Sequence, residues 1–531
     1  MSGPLPGNLP RLVRLSDYVR HHAQTAPQRE AVIFGTKRLN YRELDRTIER
    51  CAASLVRTGV RRGDRIAMLT TPRAEFATML LAAQRIGAIW VGLNPRYKLA
   101  EIEFILDDCA PALFVAVPDD ASGHSYADEL ATISRARPAL QILSTIDFDQ
   151  FLAGGDGTSA PAIVAGPEDP TVIVYTSGTT GKPKGALLAH RNLLYCYESV
   201  SRSFAGKESV RDGLRLLCNL PPNHIGCISE MLGNALIRGG TVVFAERFDP
   251  REMIDTIRTE RITMIGGVPV MLQALFDHPA FADADISSLK AIGWGGAPAP
   301  RALVQRMMDT GAHLFTNYGL TEGGAVVSAT PANYDLDTLC DTVGAPDESE
   351  NHKLVDDDGH TVATQVAAEI WLRGDGVFLG YWNNERATAQ ALTPDGWLRT
   401  GDIAKTRPDG MWVLEGRRSE MFKSGGFNVY PREIELALED HPDIAMAAVL
   451  PVRDARYFEI GIAFVLPKPG HNPDAKAIEA FLRQRLANYK IPKRVVLRSD
   501  LPMLPIGKLD KQLLRTEAAD LWRPFAAVDK R

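Results

Sequence analysis

The sequence predicts an α/β fold: a large N-terminal domain of two α/β sheet subdomains plus a small β-rich subdomain, followed by an α+β C-terminal domain. Three observations predict it. The chain has 531 residues, too many for one hydrophobic core, so several domains are expected. Short apolar runs alternate with amphipathic helical patterns through residues 1 to about 325, in two successive rounds. From about residue 340 the texture changes to short strands and turns, and residues 417–531 carry a pattern of their own. The joint is expected at GRRSEM, residues 416–421, dividing the chain into 1–416 and 417–531.

In the first round, residues 11–25 read as an amphipathic helix. Within 40–58, Asn40 can cap and Glu43 stands three residues on, a capping-box pair, while Leu44, Ile48, Cys51 and Leu55 share one face. Arg65–Leu69 reads as a strand, 75–86 as a helix, Ala88–Leu93 as a buried strand stopped by Asn94-Pro95, and Leu113–Val117 as a further strand. Residues 118–168 carry little pattern, and 154–162 (GGDGTSAPA) reads as an exposed connection. In the second round helices are expected at 190–203, 231–237, 250–260, 270–276 and 300–310, with Pro250 suited to a first helical turn. Strands are expected at 214–220, 241–245, 262–265, 289–292 and 313–317. No internal repeat is visible between the rounds. Short strands at 353–355, 369–373, 396–397 and 411–414 make the β-rich part. A helix from Pro431, strands at 445–452 and 461–466, a helix at 475–486 and a strand at 494–498 make the last domain.

Composition excludes more than it selects. Hydrophobic content of 45% and charged content of 24% are ordinary for a globular protein, and a net charge of −5 gives no pull toward nucleic acid or anionic membrane. The six cysteines, Cys51, Cys109, Cys196, Cys218, Cys227 and Cys340, form no C-x-x-C pair and read as free thiols in a reducing compartment. The first residues lack the apolar core of a secretory signal, and no run reaches the ~18 apolar residues of a transmembrane helix. A cytoplasmic protein is expected, with no nucleic-acid partner and no transmembrane segment. The oligomeric state is left open, a homodimer included.

The chemistry centres on residues 171–185, TVIVYTSGTTGKPKG. An apolar run, Val172 to Tyr175, reads as a buried strand. Thr176, Ser177, Thr179 and Thr180 then offer hydroxyls. Gly178, Gly181 and Gly185 allow close backbone approach, and Lys182 and Lys184 add positive charge. A loop rich in N–H, hydroxyl and ammonium donors, without a carboxylate, suits a polyphosphate. It is not a P-loop, because only two residues separate Gly178 from Gly181 where four are needed, and Pro183 follows Lys182 in place of a hydroxyl. The stretch resembles, almost letter for letter, the phosphate-binding signature of the adenylate-forming superfamily, which includes acyl-CoA synthetases, peptide-synthetase adenylation domains and firefly-type luciferases.

Five further places resemble the same superfamily. Asn219 to His224 (NLPPNH) resembles the strand-end element whose His borders the carboxylate substrate. Gly295-Gly296-Ala297-Pro298 resembles the turn beside the adenine, where a flat base can lie on bare backbone. Trp294, just before it, stands where relatives carry small residues; it either enters the acyl pocket or is a plain core tryptophan. Tyr318-Gly319-Leu320-Thr321-Glu322 resembles the element in which an aromatic ring stacks on adenine, a hydroxyl reaches the α-phosphate and a carboxylate offers the hard oxygen that Mg²⁺ prefers. Gly396 to Asp402 (GWLRTGD) resembles the element whose aspartate accepts from the ribose hydroxyls, and Gly416-Arg417 the start of the next, whose arginine also contacts the ribose. Leu504 to Lys508 (LPIGK) resembles the segment carrying the catalytic lysine, needed where a carboxylate attacks the α-phosphate of a polyanion. One departure stands out: Ser419, followed by Glu420, occupies the hinge position where relatives carry Asp or Lys. Lys423, Gly425 and Gly426 fall where relatives line the thiol tunnel.

The resemblance implies an ATP-dependent acyl-CoA ligase that forms an acyl-AMP and pyrophosphate from an acid and MgATP, then passes the acyl group to coenzyme A. Thr176, Ser177, Gly178, Thr179, Thr180 and Lys184 would hold phosphates, and Gly295, Gly296, Ala297, Tyr318, Asp402 and Arg417 the rest of the nucleotide. Glu322 would bind Mg²⁺, and Lys508, Thr321, Glu322 and His224 would serve catalysis. His224, Trp294 and Gly319 would border the acid, and Lys423, Gly425 and Gly426 coenzyme A. It also implies a mobile C-terminal domain that pivots about Ser419. Two alternatives remain: loading of a carrier protein's phosphopantetheine arm, and a non-catalytic nucleotide-binding relative. The expected pocket stretches, NHIGCISEM, WGGA and NYGL, are mostly small or apolar without paired arginines, which favours an acid with a neutral aliphatic or aromatic tail.

Overall fold

The computed structural model describes the chain apart from residues 1–4, 6–7, 120–122, 158, 177–182, 205–211, 332–333, 347–350, 504–508 and 523–531. The described residues form two compact units, 1–352 with 372–399, and 353–371 with 400–531. The first unit holds two large sheets with helices on their faces.

In the seven-stranded sheet the order is Gly380–Tyr381, Lys184–Ala189, Pro170–Thr176, Ile89–Leu93, Arg65–Leu69, Leu113–Ala116, Gln141–Ser144. The middle of this sheet is parallel and covered on both sides, which is why Ile89–Leu93 is buried at every position and reads as a continuous apolar run. Pro170–Thr176 then turns back on itself. Its partner Lys184–Ala189 is antiparallel, with Thr176 paired to Lys184. The glycine-rich stretch therefore joins two paired strands at the sheet's end.

The nine-stranded sheet runs Ala345–Pro346, Ser328–Ala329, His313–Tyr318, Ala291–Gly295, Met264–Gly267, Arg215–Cys218, Thr241–Phe244, Glu30–Phe34, Lys37–Asn40. Helices Pro250–Thr259, Pro269–Asp277 and Arg301–Met308 cover one face over a core that includes Ile254, Leu272, Ile292 and Leu303. The two expected halves are real but interleaved. The hairpin Glu30–Asn40 pairs in parallel with Thr241–Phe244 of the second sheet, and Gly380–Tyr381 returns to the first.

Several elements follow the expected boundaries closely. The helix Tyr41–Arg57 is capped as read: the Asn40 side chain accepts from the Glu43 N–H and Glu43 from the Asn40 N–H, both at 2.9 Å. Others differ. The first helix begins at Leu15, not residue 11. The stretch 118–168, expected to be weakly patterned, contains helices Ala127–Ala136 and Phe148–Ala153 and the edge strand Gln141–Ser144, all short and half-exposed, so their periodicity is weak. The helix expected from Met231 starts earlier, as a π-helical stretch Gly226–Gly233 that continues as an α-helix to Arg238. Such wide turns do not follow a 3.6-residue period and recur at functional sites.

The second unit contains a four-stranded sheet, His352–Val355, Ala368–Leu372, Leu398–Thr406 and Trp412–Arg417, whose ends extend one or two residues beyond the unit. Its other sheet is built on the antiparallel pair Ile444–Asp454 and Phe458–Pro467. Ala447, Val449, Ala463 and Val465 face one small core; Ala448, Leu450, Ile462 and Phe464 face another, the two-residue alternation of a sheet covered on both sides. A closing helix, Lys511–Leu521, lies beyond the elements read from the sequence.

Candidate active site

The strand ends of the first unit gather polar groups from distant segments. Thr176 ends its strand, and its Oγ1 stands 3.4 Å from the Lys184 carbonyl and 3.5 Å from Glu322 Oε1. Glu322 sits on the tight turn Thr321–Gly323 that follows the strand His313–Tyr318. Tyr381 donates its hydroxyl to the same Glu322 oxygen at 2.7 Å. The Lys184 ammonium lies 5.2 Å over the Tyr381 ring, a cation–π distance. One carboxylate, two hydroxyls and one ammonium thus meet where the glycine-rich stretch begins and ends. The oxygen-only donor set around Glu322 fits a hard cation such as Mg²⁺. Tyr381 is a residue that sequence reasoning missed; GYWNN at 380–384 carries no motif, and only pairing to the first sheet brings it here. Ser177, Gly178, Thr179, Thr180 and Lys182 lie outside the described residues.

The neighbouring strand ends supply the flatter part of the site. Tyr318 and Thr321 are buried, and Gly319 is packed so closely that a Cβ there would stand 1.4 Å from the Ala325 carbonyl oxygen. Gly296 has φ +78°, a backbone conformation suited to glycine, and it and Ala297 are exposed at the turn after Ala291–Gly295. His224 is half-buried; its Nδ1 accepts from the Gly226 N–H at 3.2 Å, closing a tight turn at the head of the π-helical stretch. Trp294 is 1% exposed and packs within the helix-covered core of the nine-stranded sheet. Its neighbour Gly295 faces the opposite side, where a Cβ would meet Asn317 Oδ1 at 2.4 Å. Asn317 in turn donates from Nδ2 to Glu230 Oε2 at 3.5 Å. Burial pushes the Glu230 carboxyl up to about 7, with the Asn317 hydrogen bond acting in the opposite direction. Glu230 is the second residue that sequence reasoning missed, although its letter stands in NHIGCISEM.

In the second unit Asp402 and Arg417 are cross-strand partners, and Arg417 Nε lies 2.8 Å from Asp402 Oδ1. Asp402 is buried while Arg417 is about half exposed, so the pair presents its guanidinium edge outward. Lys423 is exposed, and its N–H donates to Glu459 at 3.0 Å. Gly425 and Gly426 follow with φ +59° and +88°. Past Ser419, Glu420 pairs with Lys511 at 2.7 Å, and Lys511 also reaches Glu435 at 2.9 Å. Burial alone would raise the Glu420 carboxyl; the Lys511 ammonium outweighs it and holds the group below its ordinary value. Lys508 lies outside the described residues.

A two-sheet α/β unit with these groups at its strand ends, followed by an α+β unit, defines an adenylate-forming enzyme. The chain belongs to the AMP-binding enzyme family, which matches residues 19–382, and residues 433–508 match the AMP-binding enzyme C-terminal domain. It is similar to the indoleacetate–CoA ligase of Aromatoleum aromaticum, with 35% identity over 506 residues that cover 95% of this chain and 98% of that protein. It is also similar to a feruloyl-CoA synthase of an Amycolatopsis species, at 33% identity over 502 residues, covering 94% and 98%. Among solved structures, ATP-bound MatB from Rhodopseudomonas palustris superposes with a TM-score of 0.85 at 27% identity, covering 96% of this chain and 100% of that one. Its enzyme class is that of the AMP-forming acyl-CoA synthetases, which are ATP-dependent ligases.

Proposed function

We propose that the protein activates a carboxylic acid with an uncharged aliphatic or aromatic tail and transfers it to coenzyme A. The observation that carries this reading is the meeting of Glu322, Thr176 and Tyr381 at the glycine-rich turn, from three separate segments. In the first half-reaction the carboxylate oxygen attacks the α-phosphorus of ATP and pyrophosphate leaves. In the second the thiol sulfur attacks the acyl carbonyl and AMP leaves. Residues 176–180 and Lys184 grip the phosphates that depart. Mg²⁺, when bound, neutralises phosphate charge, and Glu322 with Thr176 would hold it. Thr321 bonds the α-phosphate, and Tyr318, Gly295, Gly296 and Ala297 receive the adenine. Asp402 and Arg417 bond the ribose, and His224 and Gly319 border the acid. Trp294, behind the strand, shapes this border through packing. Lys508 neutralises the charge that builds between carboxylate and α-phosphate. Lys423, Gly425 and Gly426 line the path of the thiol.

The names of the relatives support an aryl or heteroaryl acid in particular, since they include a feruloyl-CoA synthase and an indoleacetate–CoA ligase. The reading also sets the functional boundary at 416/417, with Ser419 as pivot, and a cytoplasmic location. No helix among the described residues is long and apolar enough to cross a membrane. Substitution Lys508→Ala tests the assignment. Acid-dependent exchange of pyrophosphate into ATP should fall by at least ~10²-fold, the scale of one lost transition-state charge contact. Exchange at the wild-type rate would remove Lys508 from this role.

A further inference from the structure

The strand Ala291–Gly295 has two unlike faces. Ile292 and Trp294 belong to the helix-covered core. Gly293 and Gly295 turn bare backbone the other way, and side chains from the next strand fill that space. A Cβ on Gly293 would stand 2.3 Å from the Phe315 ring, and one on Gly295 would stand 2.4 Å from Asn317 Oδ1. Phe315 and Asn317 are two residues apart and share a face. The π-helical stretch closes the same space. Glu230 Oε1 lies 3.5 Å, and His224 Nδ1 3.2 Å, from where a Cβ on Gly226 would be. Asn317 Nδ2 bonds the other Glu230 oxygen at 3.5 Å, a long contact that leaves most of the carboxyl's capacity unused.

No cation among the described residues pairs with Glu230, and its carboxyl rises to about 7 because burial penalises the charge. A half-buried carboxyl with one long hydrogen bond keeps acceptor capacity for a further donor. Of the segments around it, 223–231 contains His224 and 317–319 contains Gly319, the residues assigned above to the border of the acid.

We propose that Glu230 and Asn317 form the polar end of the acyl-binding site, and that the enzyme selects acids whose uncharged tail carries a hydrogen-bond donor, such as a phenolic hydroxyl or a ring N–H. The inference rests on the ligase reading and names its substrate class. Glu230 accepts the tail's donor, while Asn317 holds the carboxyl toward the glycine face.

The test compares matched acids: 4-hydroxycinnamate with cinnamate, and indole-3-acetate with 1-naphthylacetate. Acyl-adenylate formation is followed as pyrophosphate release, with octanoate and an α-amino acid, tyrosine, as further arms. Wild-type kcat/KM should favour the donor-bearing member of each pair by at least ~10-fold, the discrimination of one buried hydrogen bond to a carboxyl. Glu230→Leu should abolish or invert the preference, read as the ratio of kcat/KM within each pair. Glu230→Gln should weaken the preference at least ~3-fold and keep the fold, so that it carries the test alone if the leucine variant fails to fold. Equal wild-type kcat/KM within both pairs overturns the inference and leaves the ligase reading standing. So does a preference that survives both substitutions, or tyrosine outrunning 4-hydroxycinnamate. If no acid, octanoate included, releases pyrophosphate, the ligase reading fails and this inference with it.

Discussion

Glu230 and Glu322 stand near the same strand end and have opposite surroundings. Glu322 follows the strand His313–Tyr318 on a tight turn and takes hydroxyl partners from Thr176 and Tyr381, with the Lys184 ammonium over the Tyr381 ring. Glu230 meets the same strand at Asn317, bonds it at 3.5 Å, and has no cation partner among the described residues. The chemistry of a carboxylate follows from its neighbours. Hydroxyls and a nearby ammonium surround one carboxylate, while the other, half-buried, has a single long amide contact and no counter-charge among the described residues.

The largest way to break this comparison is at Glu322. Glu322→Gln keeps size and removes charge, and pyrophosphate exchange should fall by ~10²–10³-fold. Glu230→Gln, assayed on a donor-bearing acid, should stay within about 10-fold of wild type. Equal losses would erase the distinction.

Stability sharpens it next. The Glu230 carboxyl has an ordinary value of 4.5 and sits at about 7 in the folded chain. Below 4.5 it is protonated in both states and costs nothing. Between 4.5 and about 7 the unfolded chain gives up a proton that the folded chain keeps, so stability falls as pH rises; above that range the penalty is complete. Glu230→Gln removes the penalty. Urea unfolding should show a gain of up to about 3 kcal/mol at pH 8 that shrinks below about 1 kcal/mol at pH 5. A gain that ignores pH would mean the carboxyl is not enclosed.

The smallest effect is expected at Tyr381. Tyr381→Phe removes one hydroxyl from Glu322 and should slow pyrophosphate exchange by about 5–10-fold, the net worth of one ordinary hydrogen bond. An unchanged rate would separate Tyr381 from the site.

Much of the fold was legible because it rests on local periodicity. The Asn40–Glu43 capping box and the strands at 65–69, 89–93 and 313–318 announce themselves within a few residues. The hairpin Glu30–Asn40 did not, since its partner Thr241–Phe244 lies about two hundred residues on. Glu230 was passed over for a different reason. A helix expected from Met231 leaves Glu230 in the loop before it, whereas the π-helical stretch begins at Gly226 and carries Glu230 toward Asn317. Templates of period 3.6 do not register such a turn. Trp294 shows the reverse case: two placements were open from the sequence, and strand alternation against Gly293 and Gly295 put its side chain in the core.

By itself, the sequence determined the α/β class, the density of hydroxyl, glycine and lysine residues at 171–185 and the residue types available for adenylation, because these depend on short-range pattern and side-chain chemistry. Tertiary structure decided which groups meet: Tyr381 with Glu322, Thr176 with Glu322, and Glu230 with Asn317. Contacts across such separations form only when whole sheets close and the cost of ordering the intervening chain is met by many packed residues at once. No short window of sequence carries that information.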